Sequence, residues 1–459
     1  MTALWTSSEV ARATGGRTDA GFEATGVSID SRTLAPGELF VAIAGETFDG
    51  HDFVAAAFER GAAAALVARP LALDASLVHV PDTLKGLQDL GRFSRARSSA
   101  AVIAVTGSVG KTGTKEALRH CLSGQGATHA STGSFNNHWG VPLSLARMPR
   151  QTRFGIFELG MNHAGEIAAL ARQVRPDIAI ITTIAPAHLG HFASIEAIAD
   201  AKAEIFAGMD PSGTAILDRD NRFFDRLKAA AALRVIGAGT HEDAEARALT
   251  FTLTERTSRV EASILGEVVR YEISLPGRHW VANSLAVLAA VKLAGGNLRE
   301  AAEALATLPP QPGRGSRHRI KAQSGSAELI DESYNASPAS MQAAIAVLAR
   351  AEPGPGGRRI AALGDMLELG LNTSRLHAEL ARPLIEGGID LVFTAGPEMK
   401  ALHEALPLAR RGAHAENSAA LAEILVQVLR PGDVVTVKGS HGSAMNLVVK
   451  RLTTPLEQS

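Results

Sequence analysis

The chain has 459 residues, of which 46% are hydrophobic and 20% charged, with a formal net charge of −1. That length predicts about three globular domains, and the lack of a basic stripe or charged tail argues against nucleic acid or an anionic membrane as the main partner. A single cysteine, Cys121, excludes a disulfide framework and fits a reducing compartment. The N-terminus carries no signal-peptide pattern, and no apolar run has membrane-spanning length. The expectation is therefore a cytoplasmic protein, acting as a monomer.

Residues 1–98 read as a small α/β domain. A helix is predicted over Ser7–Thr14, stopped by Gly15-Gly16, with strands over Leu39–Ala44 and Ala64–Ala68 and a helix from Phe53 to Arg60. Two polar loops, Asp30-Ser31-Arg32 and Thr47 to His51, read equally as turn chemistry or as a grip on a substrate phosphate.

Residues 99–310 read as a larger domain. An apolar strand, Ala100 to Val105, runs into Thr106-Gly107-Ser108-Val109-Gly110-Lys111-Thr112-Gly113-Thr114, and a helix is predicted over Lys115–Leu122. A glycine-rich turn of this kind gathers backbone N–H groups and a helix N-terminus around a polyphosphate. Lys111 adds a charge for the outer phosphates and Thr112 a hydroxyl for Mg²⁺. The common motif places its first glycine where Val105 stands, so the form here is T-G-x-x-G-K-T. Strands at Val102–Val105, Phe154–Phe157, Ile178–Ile181 and Thr214–Leu217, alternating with helices, predict a parallel sheet with ligands at its C-terminal edge. Glu158 falls there as the best carboxylate for Mg²⁺, or as a turn cap. His188 sits in an apolar setting, and Lys202 reads on its own as a solvated helix charge. Period-two alternation over Thr250–Thr254, Arg259–Ile264 and Val268–Ile273 predicts antiparallel strands, followed by a helix from Trp280 to Gly295.

A proline- and glycine-rich hinge, Leu308 to Gly315, leads into residues 311–459, a third, Rossmann-like α/β domain. Strands are predicted at Glu328–Asp331, Ile360–Leu363, Leu391–Thr394 and Val434–Val437, with a helix over Ala339–Ala351. Polar loops follow three of these strands: Asp331-Glu332-Ser-Tyr334-Asn335, Gly364 to Gly370, and Lys438-Gly-Ser440. Three such loops on one edge suggest a second half-site facing the phosphate loop across the hinge.

Together these residues resemble the Mur ligases, ATP-dependent amide-forming enzymes of bacterial cell-wall synthesis. The matching segments run through all three domains: Asp30-Ser31-Arg32, the T-G-x-x-G-K-T loop, Asn136-Asn137, Glu158, His188, Lys202, Pro276-Gly277 with Asn283, Gly313-Arg314-Gly315, and the three polar loops of the last domain. Those loops are similar to the branch that joins D-alanyl-D-alanine to UDP-N-acetylmuramoyl-tripeptide. The resemblance implies ATP and two Mg²⁺ ions as cofactors. In it Lys111 binds phosphates, Thr112, Glu158, His188 and Lys202 hold the metals, and Lys202 is carbamylated. Asn283 contacts adenine, Arg314 with Asp331 and Glu332 holds ribose and phosphates, Ser31 and Arg32 hold the uridine nucleotide, and Asn136, Asn137 and Asn335 face substrate. The sequence departs from the usual pattern at Glu332, Ser337, Ser134 and Gly190, which blurs substrate contacts and leaves the phosphate and metal set intact. The competing readings are another ligase of the same fold, MurE-like or folylpolyglutamate synthetase-like, and a P-loop ATPase without ligase activity.

Overall fold

A computed structural model describes residues 3–18, 20–45, 47–186 and 190–454. Three main sheets organise them, and all three mix strands with helices as the α/β reading requires. In the N-terminal unit, strands Gly26–Ser28, Glu38–Val41, Ala64–Val67 and Leu77–His79 pair in that order, all parallel. Ala64–Val67 is buried at every position, as a strand covered on both faces must be. Helix Ser7–Thr14 opens on a capping box between Thr6 and Glu9 and closes at Gly15 in the left-handed conformation. The strand predicted over Leu39–Ala44 stops at Val41, because a tight turn follows in which Gly50 N donates to Ile43 O at 2.8 Å. Helix Thr83–Ala96 adds to the predicted elements; its Arg95 donates to the Val174 and Arg175 carbonyls of the next unit, each at 2.9 Å.

The middle sheet has nine strands. Thr128–Ala130, Phe154–Glu158, Ala101–Thr106, Ile178–Ile181, Thr214–Asp218, Arg234–Gly239 and Ala246–Leu253 run parallel, then Ser258–Ile264 and Glu267–Ile273 turn antiparallel. The four predicted parallel strands lie side by side at its centre, and the period-two segment forms the antiparallel extension. The sheet is covered on both faces. Ile103, Ile156 and Ile180 meet the helices Lys111–Ser123 and Arg278–Leu293 on one side, and Val102, Phe157 and Ile181 meet Glu166–Val174 and Ile195–Ala203 on the other. The first of these helices begins at Lys111, a full turn before the predicted Lys115. Gly110, at φ 89°, lets the chain swing directly into the helix, a backbone state that hydrophobic periodicity does not report.

The last sheet begins with an antiparallel hairpin, Ser316–Ala322 with Gly325–Glu332, and continues with Val434–Lys438, Arg359–Gly364, Leu391–Ala395 and Arg411–Ala415 in parallel. Glu332 is thus the last strand residue rather than part of the loop. Helix Pro338–Leu348 starts on a Ser337/Ser340 capping box with proline in its first turn.

Among the described residues, contacts between this unit and the middle one include the following. Arg317 Nη1 lies 3.0 Å from Glu255 Oε1 and 2.8 Å from Glu328 Oε2. Gly190 N donates to Glu368 O at 2.9 Å, and Ser134 Oγ shares a hydrogen bond with Tyr334 Oη.

Candidate active site

The C-terminal edge of the middle sheet carries the phosphate loop. Gly107 has φ 144°, and a side chain there would overlap Thr182 Oγ1. Thr182 Oγ1 in turn donates to Val109 O at 2.6 Å, Ser108 N donates to Thr183 O at 2.9 Å, and Ser108 Oγ accepts from Ala185 N at 3.1 Å. The neighbouring strand end therefore laces the loop down. Its shape is fixed before any ligand arrives, and the first N–H groups of helix Lys111–Ser123 point out of it without intrahelical partners. Asn283 lies against Gly110, with both amide atoms 3.3 Å from where a Cβ would stand.

Lys111 Nζ donates back to Gly107 O at 2.8 Å. Burial, and secondarily the Arg314 charge, push its ammonium below the ordinary lysine range, against the pull of Glu158. Lys202, on helix Ile195–Ala203, is only 1% exposed, which corrects its reading as a solvated charge. Burial first, and the Lys111 charge second, hold it well below the usual lysine range. Lys111 thus lies within electrostatic reach of Arg314, Glu158 and Lys202, and burial disfavours a second cation at Lys202.

Glu158 ends strand Phe154–Glu158 and is 1% exposed. Asn136 Nδ2 donates to its Oε1 at 2.8 Å, whereas Oε2 is buried with no hydrogen-bond partner among the described residues. A buried carboxylate oxygen left unmet is costly. Thr112, the other oxygen donor of the expected set, is buried at the start of the phosphate-loop helix. Oxygen donors of this kind suit a hard cation such as Mg²⁺, which takes few protein ligands and retains phosphate and water oxygens. Among the described residues no group of three or more His, Cys, Asp or Glu is arranged to hold a metal. His188, with Ala187 and Leu189, lies outside the described residues.

The facing edge of the last sheet brings Arg314, Asp331, Glu332 and Asn335. The Arg314 guanidinium carbon sits 4.2 Å from the Tyr334 ring centroid. Asp331 spends both oxygens on backbone, accepting from Ser333 N at 3.0 Å and from Gly313 N at 3.2 Å. Lys438 Nζ donates to Asn335 O at 2.8 Å and lies 3.6 Å from Glu332 Oε2. Burial raises the Glu332 carboxyl despite that neighbour, and burial likewise lowers Lys438. The Asn335 side chain accepts from Ala336 N at 2.9 Å and so braces its own turn.

Asn137 Oδ1 accepts from Trp139 N at 3.2 Å and from Gly140 N at 2.9 Å, just before helix Gly140–Ala146. In the N-terminal unit Ser31 is buried, and Arg32 is 85% exposed at its side chain and forks onto Asp30 through Nε at 2.9 Å and Nη2 at 2.8 Å. These two make none of the contacts that gather the other residues.

Two ionisable groups near the loop escape the sequence reading. Lys115 is fully buried; its Nζ donates to Ser131 O at 2.7 Å and Gly133 O at 3.0 Å and pairs with Glu116 at 2.7 Å. Its spacing of four from Lys111 places both on one helix face, the only sequence signal for it. Asp218 ends the strand Thr214–Asp218 and is pushed up to about 6 by burial. An acid at the C-terminal end of a central strand is the same signal that marks Glu158.

The sequence matches the Mur ligase catalytic domain over residues 23–90, the Mur ligase middle domain over 105–291 and the Mur ligase glutamate ligase domain over 316–441. It is 35% identical over 439 residues to the UDP-N-acetylmuramoyl-tripeptide–D-alanyl-D-alanine ligase of Escherichia coli, covering 93% of each chain. The fold superposes on MurF from Acinetobacter baumannii with a TM-score of 0.86 and 29% identity over 98% of both chains. MurF from Thermotoga maritima, solved in complex with ADP, gives a TM-score of 0.79 and 25% identity over 93% of this chain and 97% of that one. The chain belongs to the Mur ligase family, and within it to the MurF type.

Proposed function

We infer that the chain joins D-alanyl-D-alanine to UDP-N-acetylmuramoyl-tripeptide at the expense of ATP, in peptidoglycan precursor synthesis. The observation that carries the chemistry is the pairing of a preformed phosphate loop bearing Lys111 with a buried carboxylate, Glu158, whose second oxygen awaits a cation. The tripeptide carboxylate attacks the γ-phosphoryl group, giving an acyl phosphate and ADP. The dipeptide amine then adds to the acyl carbon, and the tetrahedral intermediate expels phosphate as the amide forms. The protein contributes positioning and charge neutralisation.

Thr106 to Gly113 cradle the phosphates through backbone N–H groups, and Lys111 turns from its own loop carbonyl to the outer phosphates. Asn283 receives adenine, while Arg314, with Asp331 and Glu332, holds the ribose and phosphates as the last domain closes and excludes water. Ser31 and Arg32 take the uridine nucleotide, and Asn136, Asn137 and Asn335 face the substrates. Two Mg²⁺ ions would be held by Thr112, Glu158, His188 and Lys202 and would neutralise charge developing on the transferred phosphoryl group.

A carbamate on Lys202 fits its burial. The neutral amine adds to CO₂ and releases a proton, which puts an anion beside Lys111 where a neutral amine stood. We further propose that the reaction takes place in the bacterial cytoplasm and that the active form is a monomer. Among the described residues no helix is long and apolar enough to cross a membrane. The test is ADP release with UDP-N-acetylmuramoyl-tripeptide, with and without D-alanyl-D-alanine. Dipeptide-dependent turnover is expected, and turnover that ignores the dipeptide overturns the assignment.

A further inference from the structure

We propose that Tyr334 is a positioning residue that couples closure of the last domain to the geometry of the Glu158 cation site, an inference that rests on the ligase reading above. Its ring and its hydroxyl act in opposite directions. The ring carries the Arg314 guanidinium 4.2 Å from its centroid. Tyr334 N donates to Gly313 O at 3.1 Å and Gly313 N to Asp331 Oδ2 at 3.2 Å, so the turn bearing Arg314 is tied to the strand end beneath it. The hydroxyl reaches across to the middle domain and bonds Ser134 Oγ.

Ser134 belongs to a loop with little freedom. Lys115, fully buried, grips the carbonyls of Ser131 and Gly133. Ser131 Oγ accepts from Glu158 N at 3.2 Å, Asn136 O accepts from Gly160 N at 2.8 Å, and Asn136 Nδ2 donates to Glu158 Oε1 at 2.8 Å. A continuous path therefore runs from Arg314 through Tyr334, Ser134 and Asn136 to Glu158. Its one inter-domain step is the hydroxyl pair, which exists only when the two domains meet. Closure delivers Arg314 to the phosphates at the same moment that it braces the loop orienting Glu158. Such a coupling makes phosphoryl transfer conditional on a closed cleft, and so protects the acyl phosphate from water.

The experiment is a double-mutant cycle of Ser134→Ala and Tyr334→Phe, with Tyr334→Leu as a separate variant. Each single change is expected to lower kcat by roughly three- to tenfold, the reach of one hydrogen bond. The double variant falls no further than the worse single. KM for the uridine substrate and the thermal midpoint stay at wild-type values, which a merely structural role would not spare. Tyr334→Phe keeps KM for ATP, because the ring remains under Arg314, and Tyr334→Leu raises it. Single effects that multiply in the double variant, or wild-type kcat in both singles, overturn the proposal. A wild-type protein that releases no dipeptide-dependent ADP overturns the ligase reading instead. The coupling is then read by small-angle scattering with Mg²⁺ and a non-hydrolysable ATP analogue. Compaction by the wild type and not by either single variant supports the coupling, and equal compaction overturns it.

Discussion

At the scale of single residues, activity and stability pull against each other around Glu158. Its second oxygen, buried without a hydrogen-bond partner among the described residues, penalises the folded protein. Glu158→Gln is expected to reduce kcat by roughly a hundredfold or more while leaving the thermal midpoint unchanged or raised. Parallel assays of ADP release and thermal unfolding check both halves. Lys202→Ala should lose activity on a similar scale and recover part of it with added acetate or propionate. Full activity without any acid or bicarbonate would remove the carbamate from the mechanism. Asp218 gives a pH signature. The folded state holds its pKa at about 6, above the 3.8 of a free side chain, so it binds the proton more tightly than the unfolded chain does. The charged form therefore weakens the fold above about pH 6, and the penalty disappears below about pH 4. Asp218→Asn should gain about 1–2 kcal/mol at pH 8, allowing for partial exposure, and nothing at pH 4, as read by urea unfolding.

At the scale of elements, the phosphate loop is a strained connection between a strand and a helix, held by its neighbour. Gly107→Ala forces a side chain into Thr182 at a positive φ. It should abolish nucleotide binding by calorimetry while the remaining secondary structure, by circular dichroism, persists. The same loop shows what the sequence could and could not disclose. The central strands were legible because runs such as Ile178-Ala-Ile-Ile181 are buried on both faces and need no knowledge of partners. The phosphate loop was legible from glycine spacing. The helix start at Lys111 was not, because it depends on one left-handed glycine. The burial of Lys202 and Lys115 was also hidden, because a lysine on a helix reads as solvated until the elements packed over it are known. Asn136 as the partner of Glu158 is a contact between a loop and a strand end 22 residues apart, fixed only by the tertiary fold.

At the scale of the whole molecule, the antiparallel extension of the middle sheet reaches the last domain through Glu255, which meets Arg317. Arg317 also neutralises Glu328 within its own hairpin. Arg317→Ala leaves Glu255 and Glu328 at a partly buried seam with only the more exposed Arg256, 3.5 and 3.1 Å away, to neutralise them. It should lower stability by about 1–2 kcal/mol and speed proteolytic cleavage in the 308–315 hinge, as followed by mass spectrometry. Such inter-domain seams set how far the cleft opens, which makes a direct view of the motion desirable. The lone cysteine bears on this. Cys121 lies under helix Leu298–Ala304 with its Sγ 3.3 Å from Ala301 O, and burial pushes its thiol up to about 12. At neutral pH it is neither ionised nor reachable, so it is inert to maleimides and iodoacetamides. Nature has in effect supplied a background free of reactive thiols. Cysteines introduced in pairs on either side of the hinge can carry fluorophores with no native thiol to remove, and opening and closing can then be timed one molecule at a time.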